Sequence, residues 1–489
     1  MGVKNQVQLI TYPDSLGGDL KSLQMVLEKY FPGLFAGGIH ILPPYPSSGD
    51  RGFAPLTYLE IEPKFGTWAD INRIAEKHAI LLDLMVNHIS AKSPFFQDFI
   101  ENGRESKYAG LFITLDKFWP DGQPVKDDID KMFLRRAEPF SKFQIKKTGL
   151  TERVWTTFGK TSPSEQIDLD VTSPETRELF VSFLENFSRN GVKIVRLDAV
   201  GYVIKKPGTS CFFVEPEIYQ FLEWISGVAK SLGIELLPEI HSDYEIQYRL
   251  AQQGYWIYDF ILPYTILDTF INKNSKKLLE YLRTRPSNQF TMLDCHDGIP
   301  VKPDLNGLYQ PDDARKVVDL CLSRGANLSR ILSPEHKDPD GFDVHQIRGT
   351  IYSLMGCDDE AYFAARAIQL FTPGIPQIYY VGLLAGKNDE ASVLRTGEGR
   401  ELNRHNYSIE EIDEQVRRPI VAKLLRLIHL RNSHPAFNGN VTINQCSDQE
   451  ISLTWANQGQ HATLFVDLRN NSSLITYSDI DSDTELVFE

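Results

Sequence analysis

VRLDAV (residues 195–200), LLPEIH (236–241) and MLDCHDG (292–298) each close an apolar, strand-like run with an acid: Asp198, Glu239 and Asp297. Runs of this kind recur along the chain as QVQLITY (6–12), GIHILP (38–43), ILLDLMVNH (80–88), VKIVRLDAV (192–200), IELLPEI (234–240), YDFIL (258–262), FTMLDCHD (290–297) and IQLFTPGIPQIYY (368–380). That makes eight candidate strands. Between the fourth and fifth, Ile218, Phe221, Leu222, Ile225, Val228 and Ala229 fall at helical spacing, so one face of a helix would lie on the sheet. Strands alternating with helices predict parallel pairing through crossover helices.

A doubly wound sheet alternates in the same way. What favours a barrel is the polar set at the C-terminal tips of the runs, where barrels place their chemistry: Asp83, Asn87, His88, Arg196, Asp198, Glu239, His296 and Asp297. The expected fold is α/β, a (β/α)8 TIM barrel with two inserted subdomains and a small C-terminal β domain. Two gaps exceed a βα unit, 89–165 after the third strand and 298–358 after the seventh, and long loops of this sort are usually functional or separately folded. The barrel would then occupy 1–88, 166–297 and 359–435. After the helix-like VAKLLRLIHLRN (421–432), the segments ISLTWAN, HATLFVDL and SLITYS predict a β domain over 436–489.

Composition limits what this frame can do. At 489 residues, 42% hydrophobic and 24% charged, with no apolar stretch of about 18 residues or more, the chain reads as globular and without a membrane span. The start, MGVKNQVQLITY, has no basic segment followed by a long apolar one, and Gln6 stands where a myristoylation signal needs Ser or Thr, so a cytoplasmic location is expected. Five cysteines without a CxxC pair suit reduced thiols and make zinc unlikely as a ligand. A net charge of −14 without a basic stripe opposes nucleic-acid binding and leaves room for a local cationic pocket for a small anion such as phosphate. GLLAGK (382–387) has three residues between its glycines, one short of a phosphate-binding loop, and no GxGxxG follows the first strand.

Cleaving a glycosidic bond with retention needs a nucleophilic carboxylate and a protonated carboxylic acid on opposite sides of the anomeric carbon, roughly 5 to 5.5 Å apart. Asp198 and Glu239, on neighbouring strand tips, are suited to be that pair, with Asp297 as a third acid holding sugar hydroxyls. Arg196, two residues before Asp198 and so on the same strand face, would keep that carboxylate ionised. A lone Asp is most often a cap or a surface ion pair. Three acids at three strand ends, two of them beside His241 and His296, make a set.

These residues resemble a known family. DLMVNH (83–88), VRLDAV, PEIH and CHDG are similar to the four conserved segments of the α-amylase family (glycoside hydrolase family 13), and QIDLD (166–170) to its fifth. The resemblance implies Asp198 as nucleophile, Glu239 as general acid/base and Asp297 as transition-state stabiliser, with His88 and His296 on the glucosyl hydroxyls. LITYPDSLG, GDRGFAP (49–55), DAVGYVIKKPGTSCFFVEPE (198–217), PGIPQIYYVGLLAGKND (373–389) and ELNRHNYS (401–408) resemble the sucrose phosphorylase subgroup more closely. Carried over, Asp50 and Arg404 would hold the far hydroxyls of glucose, Phe53 and Phe158 would pack on its faces and Gln166 would line the site, with Tyr202 on the acceptor side. The resemblance implies no cofactor and no required metal, although Asn87 stands where many amylases bind calcium. Homodimers are common in the subgroup and are the expectation for assembly.

One loop departs from the subgroup, whose D-x-Tyr-Gln-x-Asn run here reads Asp343, Val344, His345, Gln346, Ile347, Arg348. Tyr has become His and Asn has become Arg, which adds donors and charge in a loop expected to face the acceptor. The other acceptor loop holds Arg135 and Arg136, where the subgroup places an arginine thought to meet phosphate. Arg and protonated His give charge-assisted hydrogen bonds to phosphate. The pattern resembles that of sucrose 6-phosphate phosphorylases. The substrates expected are therefore sugars and inorganic phosphate, with fructose 6-phosphate as acceptor. The alternatives are unphosphorylated sucrose, a glucosylglycerol or glucosylglycerate phosphorylase, a hydrolase, and a catalytically dead binding protein of the same fold.

Overall fold

The computed structural model describes residues 3–158, 165–331, 341–480, 482 and 484–488. Eight short strands carry the α/β part: β1 Gln8–Thr11, β2 Gly38–Ile41, β3 Ile80–Met85, β4 Val192–Asp198, β5 Glu235–Pro238, β6 Ile257–Asp259, β7 Gln289–Thr291 and β8 Ile375–Tyr379. Their order in the sheet is β6-β7-β8-β1-β2-β3-β4-β5. Every neighbour is a sequence neighbour once the first and last strands are joined, which is the order of a (β/α)8 fold; the reversal that defines a doubly wound sheet is absent.

The chain forms two compact units. One is built on Ile41–Ile240 and contains β3, β4 and β5; the other, from Gly2–His40, His241–Arg330 and Val344–Glu489, contains β6, β7, β8 and β1, while β2 belongs to both stretches. In the first unit Asp83 pairs with Arg196 and Met85 with Asp198 across β3 and β4, while Leu197 pairs with Pro238 across β4 and β5. In the second, β1 pairs with β8 in parallel, Gln8 opposite Gln377, and the buried Gln377 Nε2 donates to Gln8 Oε1 at 2.8 Å. Both faces of such strands are covered, so the runs read as nearly continuous apolar stretches.

The helix between β4 and β5 spans Glu217–Ser231 and buries Ile218, Phe221, Leu222, Ile225 and Ala229, with Val228 half-buried. The eighth run needs a correction: Ile368, Gln369, Leu370 and Phe371 end the helix Asp359–Phe371, and only Ile375–Tyr379 is strand. That helix is buried on every side from Ala361 onward, and such a helix has the same hydrophobic profile as a strand until Pro373 and Gly374 (φ +123°) break it.

After β3, His88–Ser90 pairs antiparallel with Gln166–Asp168, the QIDLD segment. Between them lie the helix Pro94–Asn102, capped by Ser93, and the antiparallel pair Phe140–Gln144 with Thr151–Trp155. This excursion has an aromatic core of Phe118, Trp119, Trp155 and Phe140 around Met132, which Cys211 from the segment after β4 joins. After β7, Ile299–Pro300, Val344–Arg348 and Asn327–Arg330 form a three-stranded antiparallel sheet, with the helix Pro311–Ser323 between them. The chain ends in a five-stranded antiparallel sheet over Asn440–Ile443, Glu450–Asn457, Gln460–Asp467, Ser472–Ser478 and Glu485–Val487. Among the described residues no helix is long and apolar enough to cross a membrane.

Candidate active site

In the first unit the tips of β3, β4 and β5 converge on one guanidinium. Arg196 Nη1 donates to Asp83 Oδ1 and to Asp198 Oδ1, both at 2.6 Å, and its Nη2 lies 3.5 Å from Glu239 Oε1. Asp83 is fully buried and Arg196 nearly so. The register sets this up: Asp83 and Arg196 are cross-strand partners, Asp198 is two residues on, and the Glu239 N–H donates to Leu197 O at 3.0 Å. Asp198 and Glu239 thus stand at the same level on neighbouring strands, whose backbones run about 4.8 Å apart.

Ala199, next after the acid, has φ +54° and ψ 28°, and its N–H donates to Glu239 Oε2 at 2.9 Å. The left-handed conformation costs roughly 1–2 kcal/mol for a residue with a Cβ, and it directs a backbone dipole at the second carboxylate. Burial pushes the Asp198 carboxyl up to about 7; Arg196 opposes this, and the neighbouring Glu239 and Asp83 carboxylates add to it. Burial and the neighbouring carboxylates thus favour the protonated form of Asp198, and Arg196 favours the ionised one.

Beside the acids, the carbonyl of Phe53 accepts from His88 Nε2 at 3.0 Å and from Gln166 Nε2 at 2.9 Å. The carbonyl fixes the proton on Nε2, and burial lowers the imidazole pKa, so His88 is a neutral donor. The Phe53 ring lies 5.8 Å from the Arg196 guanidinium carbon, and Phe158 meets His88 edge-on at 5.4 Å and Tyr202 at 5.1 Å. Asp50 is exposed and acts on His88 through its charge; it and Arg51 both hold left-handed backbone, at φ +46° and +47°. Arg135, Arg136 and Thr156 of the excursion share a pocket with Tyr202, Ser210 and Cys211 from the segment after β4, and Arg136 Nη1 donates to Thr156 Oγ1 at 2.8 Å.

Behind His88, the side chain of Lys205 is 2% exposed and its ammonium sits among oxygens: Asp168 Oδ2 at 2.8 Å, Asn87 Oδ1 at 2.8 Å and the carbonyl of Tyr202. Asp168 also accepts from the N–H and hydroxyl of Thr157, at 2.7 and 2.5 Å. A fixed ammonium therefore occupies the oxygen ring that includes Asn87.

In the second unit, Asp297 has its own cations. Arg400 Nε lies 3.5 Å and Arg404 Nη2 4.0 Å from Asp297 Oδ1, and His296 Nε2 lies 3.6 Å from Oδ2. Arg404 is anchored by Nε to the carbonyl of His296 at 2.9 Å and lies 5.7 Å from the ring of Tyr12, which also meets His296 edge-on. Asn403 Nδ2 bridges the carbonyls of Cys295 and Asp297, both at 2.9 Å. A Cβ on Gly298 would lie 2.7 Å from Ile347 O and 2.9 Å from Gln346 Cβ, so glycine after Asp297 lets the strand Val344–Arg348 approach.

That strand carries the departures from the subgroup. Its pairing slips between Ser329–Gln346 and Arg330–Val344, which leaves His345 as the extra residue of a β-bulge, a device that re-aims a side chain. His345 is buried, with Nδ1 2.6 Å from the carbonyl of Lys302. Arg348 closes the strand opposite Asn327, and a Cβ on Gly399 would lie 3.0 Å from its Nη1.

The α-amylase catalytic-domain model matches residues 5–284, more than half of the sequence. The chain belongs to the α-amylase family. Within it, the protein is 64% identical over 477 residues to the sucrose 6(F)-phosphate phosphorylase of Thermoanaerobacterium thermosaccharolyticum, covering 98% of each chain. It is 41% identical over 490 residues to the sucrose phosphorylase of Streptococcus mutans, covering 100% of each. The crystal structure of sucrose 6F-phosphate phosphorylase from Thermoanaerobacter thermosaccharolyticum superposes with a TM-score of 0.98 at 62% identity, over 100% of this chain and 99% of that one.

Sequence reasoning placed Asp83 among the tip residues without a role, and it passed over Tyr12, Arg400 and Lys205. Asp83 was detectable from its alignment with Arg196 on adjacent strands. Arg400 directly precedes the quoted ELNRHNYS. Tyr12 lies in LITYPDSLG and Lys205 in DAVGYVIKKPGTSCFFVEPE, but His296 and Asp168, which they meet, lie far away in the chain.

Proposed function

We propose that the protein is a retaining glucosyl phosphorylase that converts sucrose 6-phosphate and inorganic phosphate to α-glucose 1-phosphate and fructose 6-phosphate. The observation that carries this reading is the 64% identity, over 98% of both chains, to a sucrose 6(F)-phosphate phosphorylase. The carboxylates that such chemistry needs are all present.

In this reading Asp198 attacks the anomeric carbon while Glu239 gives its proton to the departing fructosyl oxygen, leaving a covalent β-glucosyl enzyme and free fructose 6-phosphate. A phosphate oxygen then attacks the same carbon from the opposite face, breaks the bond to Asp198 and forms α-glucose 1-phosphate with net retention. Arg196 at 2.6 Å favours the charge on Asp198, which is the form the first step requires. Asp297, flanked by Arg400, Arg404 and His296, holds glucosyl hydroxyls. Asp50 and Arg404 take the far hydroxyls, Phe53 and Phe158 pack on the ring faces, and His88 and Gln166 supply donors.

When phosphate enters, Glu239 is an anion, and cationic groups must offset the repulsion. Arg135 and Arg136 serve this, while Tyr202, His345, Gln346 and Arg348 line the acceptor side. In the same reading 89–165 and 298–358 are inserted subdomains that supply these loops, 436–489 is a separate β domain, and the protein is cytoplasmic and a homodimer.

The test is release of α-glucose 1-phosphate from sucrose 6-phosphate and from sucrose, each with phosphate. A preference in kcat/KM of tenfold or more for the phosphorylated sugar, about 1.4 kcal/mol of transition-state discrimination, is expected. A preference for sucrose would favour the activity named for the Streptococcus mutans relative, and free glucose from both would mean a hydrolase.

A further inference from the structure

His241 follows Glu239 by two residues at the end of β5, and a buried acid holds it. Its Nδ1 lies 3.3 Å from both Asp304 oxygens, and Asp304 is fully buried. Gln247 Nε2 donates to Asp304 Oδ1 at 3.2 Å and to Ser242 O at 3.0 Å, which locks the carboxylate against the helix Tyr244–Gln252. The imidazole stacks on Phe260 with centroids 4.1 Å apart and meets the His345 ring edge-on at 5.8 Å. Both histidines thus have Nδ1 beside an oxygen acceptor, Asp304 for one and the Lys302 carbonyl for the other. An acceptor at Nδ1 keeps a proton there, and a carboxylate acceptor also favours the cationic ring.

We propose that Asp304 is a positioning residue for the phosphorylated acceptor: it holds His241 as an oriented cation beside His345, so that the two imidazoles together receive the acceptor's phosphate group. This rests on the reading of His345 as an acceptor-side residue. A charged hydrogen bond to phosphate is roughly twice as strong as a neutral one, so a neutral or misoriented His241 weakens the acceptor and leaves the glucosyl step in place. Asp304 lies in the excursion after β7, as His345 does, and touches the acceptor only through His241.

The experiment runs the synthetic direction, with α-glucose 1-phosphate as donor and fructose 6-phosphate or fructose as acceptor. For Asp304→Asn the expected result is a KM for fructose 6-phosphate raised tenfold or more, with kcat lowered less than threefold. His241→Gln should give the same KM, and the double variant should be no worse than either single one, since both remove one interaction. An unchanged KM, equal loss with both acceptors, or additive losses would each overturn the proposal. If Asp304→Asn fails to fold, His241→Gln alone decides: a KM within twofold of wild type overturns the idea. The wild-type preference between the two acceptors separately tests the proposed function, so failure of that reading is told apart from failure of this one.

Discussion

Replacing Lys205 with Met keeps the length of the side chain and removes its charge from a ring of oxygens. In the wild type the ammonium lies 2.8 Å from Asp168 Oδ2, a gross attraction of about 6 kcal/mol at an effective dielectric of ~20. Much of this offsets desolvation; breaking a buried pair by removing one partner destabilises by about 3–5 kcal/mol. Urea unfolding followed by tryptophan fluorescence, which samples Trp155 at 5.6 Å from the ammonium, should therefore show a loss of about 3–4 kcal/mol at pH 7. Lys205→Ala, which opens the same ring, should regain stability on addition of millimolar calcium, a cation that takes oxygen ligands; Lys205→Met, whose methyl fills the space, should not. A loss under about 1 kcal/mol at pH 7 would refute this account of the buried ion pair.

Further outcomes are expected from other positions. In the proposed mechanism Asp198 attacks as a carboxylate, and burial pushes its carboxyl up to about 7, so kcat/KM should fall as pH drops through that region; Glu239→Gln removes one upward push and should move this acid limb to lower pH, measured with α-glucosyl fluoride, whose leaving group needs no proton. Gly298→Ala puts a methyl 2.7 Å from Ile347 O, which should displace the strand Val344–Arg348, destabilise by about 1–3 kcal/mol and raise the KM of the acceptor more than that of glucose 1-phosphate. His345→Tyr restores the residue of the sucrose phosphorylase subgroup and should lower the preference for fructose 6-phosphate over fructose at least tenfold, about 1.4 kcal/mol. Arg135→Ala should raise the KM for inorganic phosphate more than Arg136→Ala does, because Arg136 is engaged with Thr156.

The parts of this protein legible in its sequence are those where local pattern and tertiary role coincide. Strands buried on both faces announce themselves as apolar runs, so six of the eight were placed to within about three residues, the seventh run continues six residues past Gln289–Thr291, and the acids at the tips of β4 and β5 followed. The eighth was over-extended because Ile368–Phe371 is a buried helical end, and hydrophobicity alone does not separate that from a strand. Lys205, Tyr12 and Asp304 were illegible for another reason. Each acts through a partner that the fold brings near, Asp168, His296 or His241, and nothing adjacent in the chain marks the encounter. The bulge at His345 was equally hidden, since it arises from pairing between two strands 14 or more residues apart.

The place of β1 in the sheet has a consequence for how the chain is made. Gln8 pairs with Gln377, which the ribosome adds 369 residues later. At about 5–20 residues per second, one edge of the first strand waits roughly 20 to 75 seconds for its neighbour. Throughout that time the side chains of Gln8, Leu9, Ile10 and Thr11 and a row of backbone groups, all buried in the finished protein, lack their final cover. Pairing of β1 with β8 is thus a late event of synthesis, and until then that edge of the first strand is open. A nascent chain halted before residue 375 should remain protease-sensitive in its first forty residues, and one released after residue 433 should not.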